Sequence, residues 1–459
     1  MKKILTIALV ALLAASSVFA GLSGYSYLGF GFNSASGAFG FNPAAALSVD
    51  VDVATADGSK VGEGDIYAGI DGSITLRLVD TAKKDNGKLI ALYPYNDSND
   101  MGYYSVGVFA SINSAYIAGQ DWKVSFGTAS SNPVDFAKSA IDTYTAQKKD
   151  EYAFAYSTKS SAISYKAPYA STSGFVAEYK DYKVGVGFEG TKGDSETIMG
   201  YTAYVLTPEI ELGDAAKVKF GAVASKANKA DKYVSAGASL QGSFAADKFS
   251  AKASADFGLE NIGKEKDGNA FHFDAAANFK YDFASVDVYY ADAISVQGYH
   301  LEDGAPVEDT KKTEYKNLLS AKASIDLNSF DVPVALTLKG KDLINKQNLS
   351  ASVDVTVSEA FSFTVGGGYG IKSEKITANA GVKYKAEKFT ASADVNFSLK
   401  GEEKQLYPTV VVSSDALVNG ATLELAWKSI TDGSGNTTTN LLDKEADFGK
   451  IYATAKLEF

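Results

Sequence analysis

The chain has no cysteine and a single arginine, Arg77. Without cysteine there is no disulfide framework and no thiolate metal site. Proline is scarce, at 8 of 459 residues. Because proline cannot donate to a sheet ladder, its scarcity favours long paired strands. Cations are almost all lysine and form no cluster, and the formal charge is -11. An acidic chain without a basic patch has no footprint for nucleic acid. Beyond residue 20 no apolar run reaches the roughly 20 residues a spanning helix needs. Abundant instead are glycine (42), tyrosine (27) and phenylalanine (26), a composition suited to pleated surfaces and their turns.

Residues 1–20 read as a cleaved secretory leader. Lys2 and Lys3 form its charged start and Ile4 to Ala15 its apolar centre. Val18-Phe19-Ala20 supplies a small-residue cleavage site between Ala20 and Gly21. Loss of the leader leaves the chain two charges more negative.

The remainder, 21–459, reads as one domain with a repeating pattern. In Lys248 to Gly258, Phe249, Ala251, Ala253, Ala255 and Phe257 alternate with Lys248, Ser250, Lys252, Ser254 and Asp256. That period of two marks a strand with one apolar and one polar face. Lys388 to Leu399 and Glu374 to Lys385 repeat it. Aromatics tend to stand at the ends of each apolar face with alanine or valine between, as aromatic girdles at two membrane surfaces require. These runs are longer than soluble strands and match the ~9–11 residues of a tilted transmembrane strand. Short turns are expected near Ala246-Asp247, Asp282-Phe283, Asn328-Asp331, Ser358-Ala360 and Ala386-Glu387. Longer loops are expected at 227–232, 259–269, 294–315, 340–346, 400–405 and 431–447. The expected fold is all-β: a transmembrane antiparallel up-and-down β-barrel of roughly 18–24 strands, with short periplasmic turns and longer extracellular loops. Counting gives fourteen strands after residue 214. Ten more start near 22, 41, 65, 103, 120, 151, 162, 173, 182 and 199.

The last run, Lys450 to Phe459, carries Ile451, Ala453, Ala455, Leu457 and Phe459 on one face. It resembles the C-terminal assembly signal of Gram-negative outer-membrane proteins, an alternating strand that ends in phenylalanine. Leu457 departs from it, since an aromatic is common there. The resemblance implies a multi-pass barrel in the cell outer membrane, surrounded by lipid and inserted by the barrel-assembly machinery.

Catalytic chemistry finds little support. The two histidines are His272 and His300. His272 has Asp274 two residues on and on the same face, and it reads as a wall residue. No enzyme activity, cofactor or metal is expected. Lys252, Asp256, His272, Asp274, Lys280, Lys383 and Asp394 are the candidate lumen-facing residues. In segment 129–150, Val134, Ala137, Ala140, Ile141 and Tyr144 recur at helical spacing, with Asn132 as cap and Pro133 at the first position. Asp135, Lys138 and Asp142 would line its polar side. This resembles general diffusion porins, whose third outer loop folds inward, carries a short helix and narrows the pore. Those porins set acidic loop residues against arginines on the wall, and here only lysines are available, as point charges.

The resulting expectation is a porin: a water-filled channel for passive diffusion of small hydrophilic solutes, open to homo-oligomer formation. Two alternatives stand beside it. Phe41-Asn42-Pro43-Ala44 resembles the Asn-Pro-Ala turn of the long-chain fatty-acid transporters, which would imply a hydrophobe channel. The long loops also suit a structural surface protein or adhesin anchored by a barrel.

Overall fold

The computed structural model describes residues 21–34, 38–54, 66–80, 104–129, 135–138, 145–149, 156–160, 162–164, 172–192, 197–226, 234–262, 270–296, 299–302, 305–308, 313–418, 421–430 and 437–458. The expected leader with Ala20, and also Asp142 and Phe459, lie outside them.

Alternation sets each strand and which face it shows. Phe257 is 41% exposed while the preceding Asp256 is 1% exposed. The apolar faces are therefore bare, and the polar faces turn toward the inside. Among the described residues, twenty-two long strands form the wall. Eight lie in the first half: Gly21–Asn33, Ala38–Ala54, Tyr67–Asp80, Tyr104–Ala118, Trp122–Ala129, Thr172–Tyr179, Tyr182–Lys192 and Thr197–Leu206. Fourteen follow. They are Ala216–Lys226, Val234–Ala246, Phe249–Ile262, Ala270–Tyr281, Ala284–Val296, Thr313–Asp326 and Val334–Lys341, then Asn348–Ser358, Phe361–Gly370, Lys375–Lys385, Thr390–Lys400, Glu403–Val418, Ala421–Lys428 and Lys450–Glu458.

Each wall strand pairs antiparallel with the next in this series. Gly21–Asn33 also pairs with Lys450–Glu458, with Tyr25 opposite Glu458 and Asn33 opposite Lys450. The series of pairings thus returns to its start, which removes the exposed edges of an open sheet.

Connections alternate in length only in part: the expected long loop at 400–405 is a two-residue turn, 401–402, and 371–374 on the same rim is short, while 207–215 and 327–333 on the other rim are longer. One rim carries tight turns such as 119–121, 180–181, 247–248 and 282–283, and the other carries 81–103, 130–171, 297–312 and 429–449. At the first rim Lys180 and Asp181 both take left-handed backbone (φ 47 and 69). A primed turn of that kind matches the twist of the flanking strands. The 55–66 connection is longer than its neighbours on that rim.

Three further expectations are corrected. The strands near 151 and 162 are not wall strands. Tyr156–Ser160 pairs with Thr145–Lys149 in a separate hairpin, and Ala162–Ser164 pairs with Ile294 to Val296. At five and three residues they are too short to cross a bilayer. Phe41-Asn42-Pro43-Ala44 is not a turn but the interior of a strand, with Pro43 opposite Leu28. The helix expected over 129–150 is absent where described: 135–138 are not helical and Thr145–Lys149 is extended.

Candidate functional site

The site is a patch of inner wall onto which the third long-rim connection folds. Segment 130–171 leaves the ring at Trp122–Ala129 and returns at the adjoining Thr172–Tyr179. Its described residues Phe136 and Ala137 reach wall strands from Ala216–Lys226 to Thr313–Asp326, the ninth to the fourteenth around the ring.

Asp256 is the anchor. It sits at mid-strand in Phe249–Ile262, on the polar face. The N–H of Phe136 donates to its Oδ1 (2.9 Å) and the N–H of Ala137 to its Oδ2 (3.0 Å). Ser239, directly opposite on the neighbouring strand, donates its hydroxyl to Oδ1 as well. A buried carboxylate needs such donors, because removal from water without them is costly. Beside this clasp Ala137 packs against Tyr289, Ala291 and Leu318, with Ala276 at the margin. The Lys219 ammonium stands 5.0 Å from the Phe136 ring centroid, an arrangement that attracts a cation to the ring face. These contacts consume the segment's amides and its small apolar side chain. They explain why residues spaced for a helix are not helical here.

Asp135 and Lys138 form an ion pair with each other on the exposed side of this segment. Asp274 lies opposite Asp256 on the wall, and the Tyr289 hydroxyl donates to its Oδ2 (2.9 Å). His272 Nδ1 lies 3.3 Å from Oδ2 of Asp292, on the neighbouring strand Ala284–Val296.

The remaining candidates share the polar face. Lys252 stands opposite Ser243 and Asn278, and Lys280 opposite Ser250 and Ser285. Lys383 faces Ser362 and Ser392, and Asp394 faces Gly381 and Thr409. These last two are on the far side of the ring from the docked segment. In the final strand Ile451 is exposed, with Ala453 and Ala455 on the same alternation and Leu457 opposite Ser26. Tyr452 points the other way and donates to Glu424 (2.7 Å).

Sequence reading missed Lys219, Ser239, Tyr289 and Leu318. Their inward direction is legible from alternation, but the height of each on the wall follows only from register. Among the described residues no group of three or more acids and histidines could hold a metal ion.

No family model matches the chain, and no curated protein matches it. Among solved structures it is similar to OccAB4 of Acinetobacter baumannii, at 9% identity over 95% of this chain and 97% of that one, TM-score 0.36. It is similar to the P pilus usher translocation pore PapC, at 10% identity over 96% and 99%, TM-score 0.36. A mutant Rh. blastica porin shares 10% identity over 96% and 99%, TM-score 0.32.

The architecture stands on the strand pairing itself. Phe244, Phe257, Phe279, Leu338, Val365 and Leu425 are exposed on the outer face. An apolar outside on a sheet paired all the way round satisfies every backbone group in lipid. The chain is a transmembrane antiparallel up-and-down β-barrel.

Proposed function

We propose that the chain is a porin: a water-filled channel for small hydrophilic solutes, narrowed by the inward-folded loop 129–150. The observation that carries this reading is the clasp of Phe136 and Ala137 on Asp256, on the polar inner face of a 22-strand ring. A ring of that size encloses more space than wall side chains fill. A segment fixed at mid-wall therefore sets the clearance. The polar inner face and the extended Phe41-Asn42-Pro43-Ala44 favour hydrophilic solutes over a hydrophobe channel.

The same proposal includes a leader cleaved at Ala20-Gly21 and recognition of Lys450–Glu458 with Phe459 by an assembly machinery. Lys252, His272, Lys280, Lys383 and Asp394 serve as lumen wall, Asp256 and Asp274 stand on the same wall beneath the docked segment, and Asp135 and Lys138 border the passage.

Refolded protein in planar bilayers tests the reading. Stable open steps are expected, and they should enlarge when 133–147 is replaced by a short Gly/Ser linker. Open steps of unchanged size would remove the narrowing. A complete lack of steps would remove the channel and favour a barrel that only anchors its loops.

A further inference from the structure

The inner wall carries an arrangement of lysines that folding alone does not explain. Lys252 stands opposite Asn278, Asn278 opposite Asp287, Asp287 opposite Lys322, and Lys322 opposite Lys339. These five residues form one row across five consecutive wall strands. Lys280 lies one step toward the tight-turn rim, on the same face. The row spans about 19 Å at about 4.8 Å per strand. Because transmembrane strands tilt by roughly 35–45°, a row perpendicular to them slants along the barrel axis. It therefore forms a track along the passage.

Two features point to a ligand. Lys322 and Lys339 are direct cross-strand partners, and like charges placed opposite each other destabilise a sheet. The one acid in the row, Asp287, forms no ion pair with either lysine, and its Oδ1 accepts from Asn278 Nδ2 (2.6 Å). Among the described residues, none of Lys252, Lys280, Lys322 and Lys339 has a carboxylate within ion-pair distance. Lys252, Lys280 and Lys339 are exposed and Lys322 is half-buried. The nearest large acidic feature, Asp256 with Asp274, is covered by the docked segment and shows almost no surface to the passage.

We propose that Lys252, Lys280, Lys322 and Lys339 form a track for small anions, carboxylates or inorganic phosphate, which makes the channel anion-preferring. This rests on the channel reading and deepens it. It runs against the sign of the whole chain, whose formal charge is -11. Selectivity follows from charge exposed along the passage, since screening confines each charge to about 8 Å at physiological salt.

The test is the reversal potential of the refolded wild-type channel across a tenfold KCl gradient. Chloride permeability should exceed that of potassium. Replacing all four lysines by glutamine should lower the permeability ratio several-fold, and the Lys322→Gln/Lys339→Gln pair should account for the larger part. Heat-modifiable migration in detergent gels checks that the variants fold. If a variant does not fold, added inorganic phosphate supplies a mutation-free readout and should reduce chloride current through the wild type at submolar concentration. A cation-preferring wild type, or unchanged selectivity in the folded quadruple variant, overturns the track while leaving the channel intact. A wild type with no open steps overturns the channel reading and the track with it.

Discussion

Asp256 accepts the backbone N–H of Ala137 at 3.0 Å, joining a loop residue to a wall residue 119 positions away in sequence. With the Phe136 N–H at its other oxygen, the carboxylate holds two amides at once. Asp256→Ala removes both acceptors and leaves the amides in a cramped setting. Docking of the segment should weaken by on the order of 3 kcal/mol. The barrel should still form, because the wall ladder is untouched. Bilayer recordings should then show larger or noisier open steps. Asp256→Asn keeps one acceptor and should fall between. Steps of wild-type size and noise in Asp256→Ala would show that the clasp does not position the segment.

Adjacent stretches of one strand should respond in opposite ways to the same substitution. In Lys375–Lys385, Ala380 lies on the outer face between Ile376 and Tyr384, while Thr377 lies on the inner face opposite Gly368 and Ser398. Ala380→Arg places a charge in lipid near mid-wall and should cost about 2–4 kcal/mol. Thr377→Arg stays in water and should leave stability within about 0.5 kcal/mol while it changes conductance. Urea unfolding in vesicles measures the first effect and bilayer recording the second. Equal loss of stability in both variants would mean that the faces have been assigned wrongly.

The second half of the fold was legible because its alternation is unbroken and its strands are long. All fourteen strands expected there are present. The first half misled where alternation was real but length was not considered. The strand expected near 151 is Tyr156–Ser160, and with five residues it cannot span. The helical spacing around Ala137 also misled. Its burial comes from Tyr289, Ala291 and Leu318 on distant strands, and those contacts override local preference. The His272–Asp292 contact was invisible for a related reason. Cross-strand neighbours depend on register, and register is settled by turns whose exact lengths the sequence leaves open.

Gly449 should prove sensitive because it ties the ring's last strand to its first hairpin. The Ser34 N–H and hydroxyl both donate to the Gly449 carbonyl (3.1 and 2.7 Å). Gly449 has φ +101, and a Cβ there would meet the Lys428 carbonyl at 2.5 Å. Gly449→Ala therefore combines left-handed strain with a backbone clash and should cost about 1–3 kcal/mol. The expected readout is a lower temperature for loss of the fast-migrating folded form in gels. Gly401 is a control, since its φ is +60 but a Cβ there meets nothing within 4 Å. Gly401→Ala should cost less, through backbone strain alone. An equal shift in both variants would remove the clash from the account.

Two rim lysines should give stability changes of opposite sign with pH. Lys248, in the turn 247–248, donates to Asp282 (2.7 Å), and that hydrogen bond together with the charge of Asp282 raises its pKa above 10.5. A raised value means that the folded chain holds this proton more tightly. Its contribution is complete below 10.5 and is lost as pH rises through the higher folded value. Lys346, in the opposite-rim connection 342–347, is shifted the other way. Burial lowers its pKa below 10.5, against the pull of Asp342. Between its folded value and 10.5 the unfolded chain binds more protons, so this group's contribution improves as pH rises through that window. Lys248→Gln should therefore be less stable than wild type at neutral pH and converge with it in strong alkali. Lys346→Met should be more stable than wild type at neutral pH and lose that advantage on the alkaline side. Thermal midpoints of the heat-modifiable form, taken as variant-minus-wild-type differences across pH, isolate each group. Parallel pH trends for the two variants would contradict the opposite directions assigned to them.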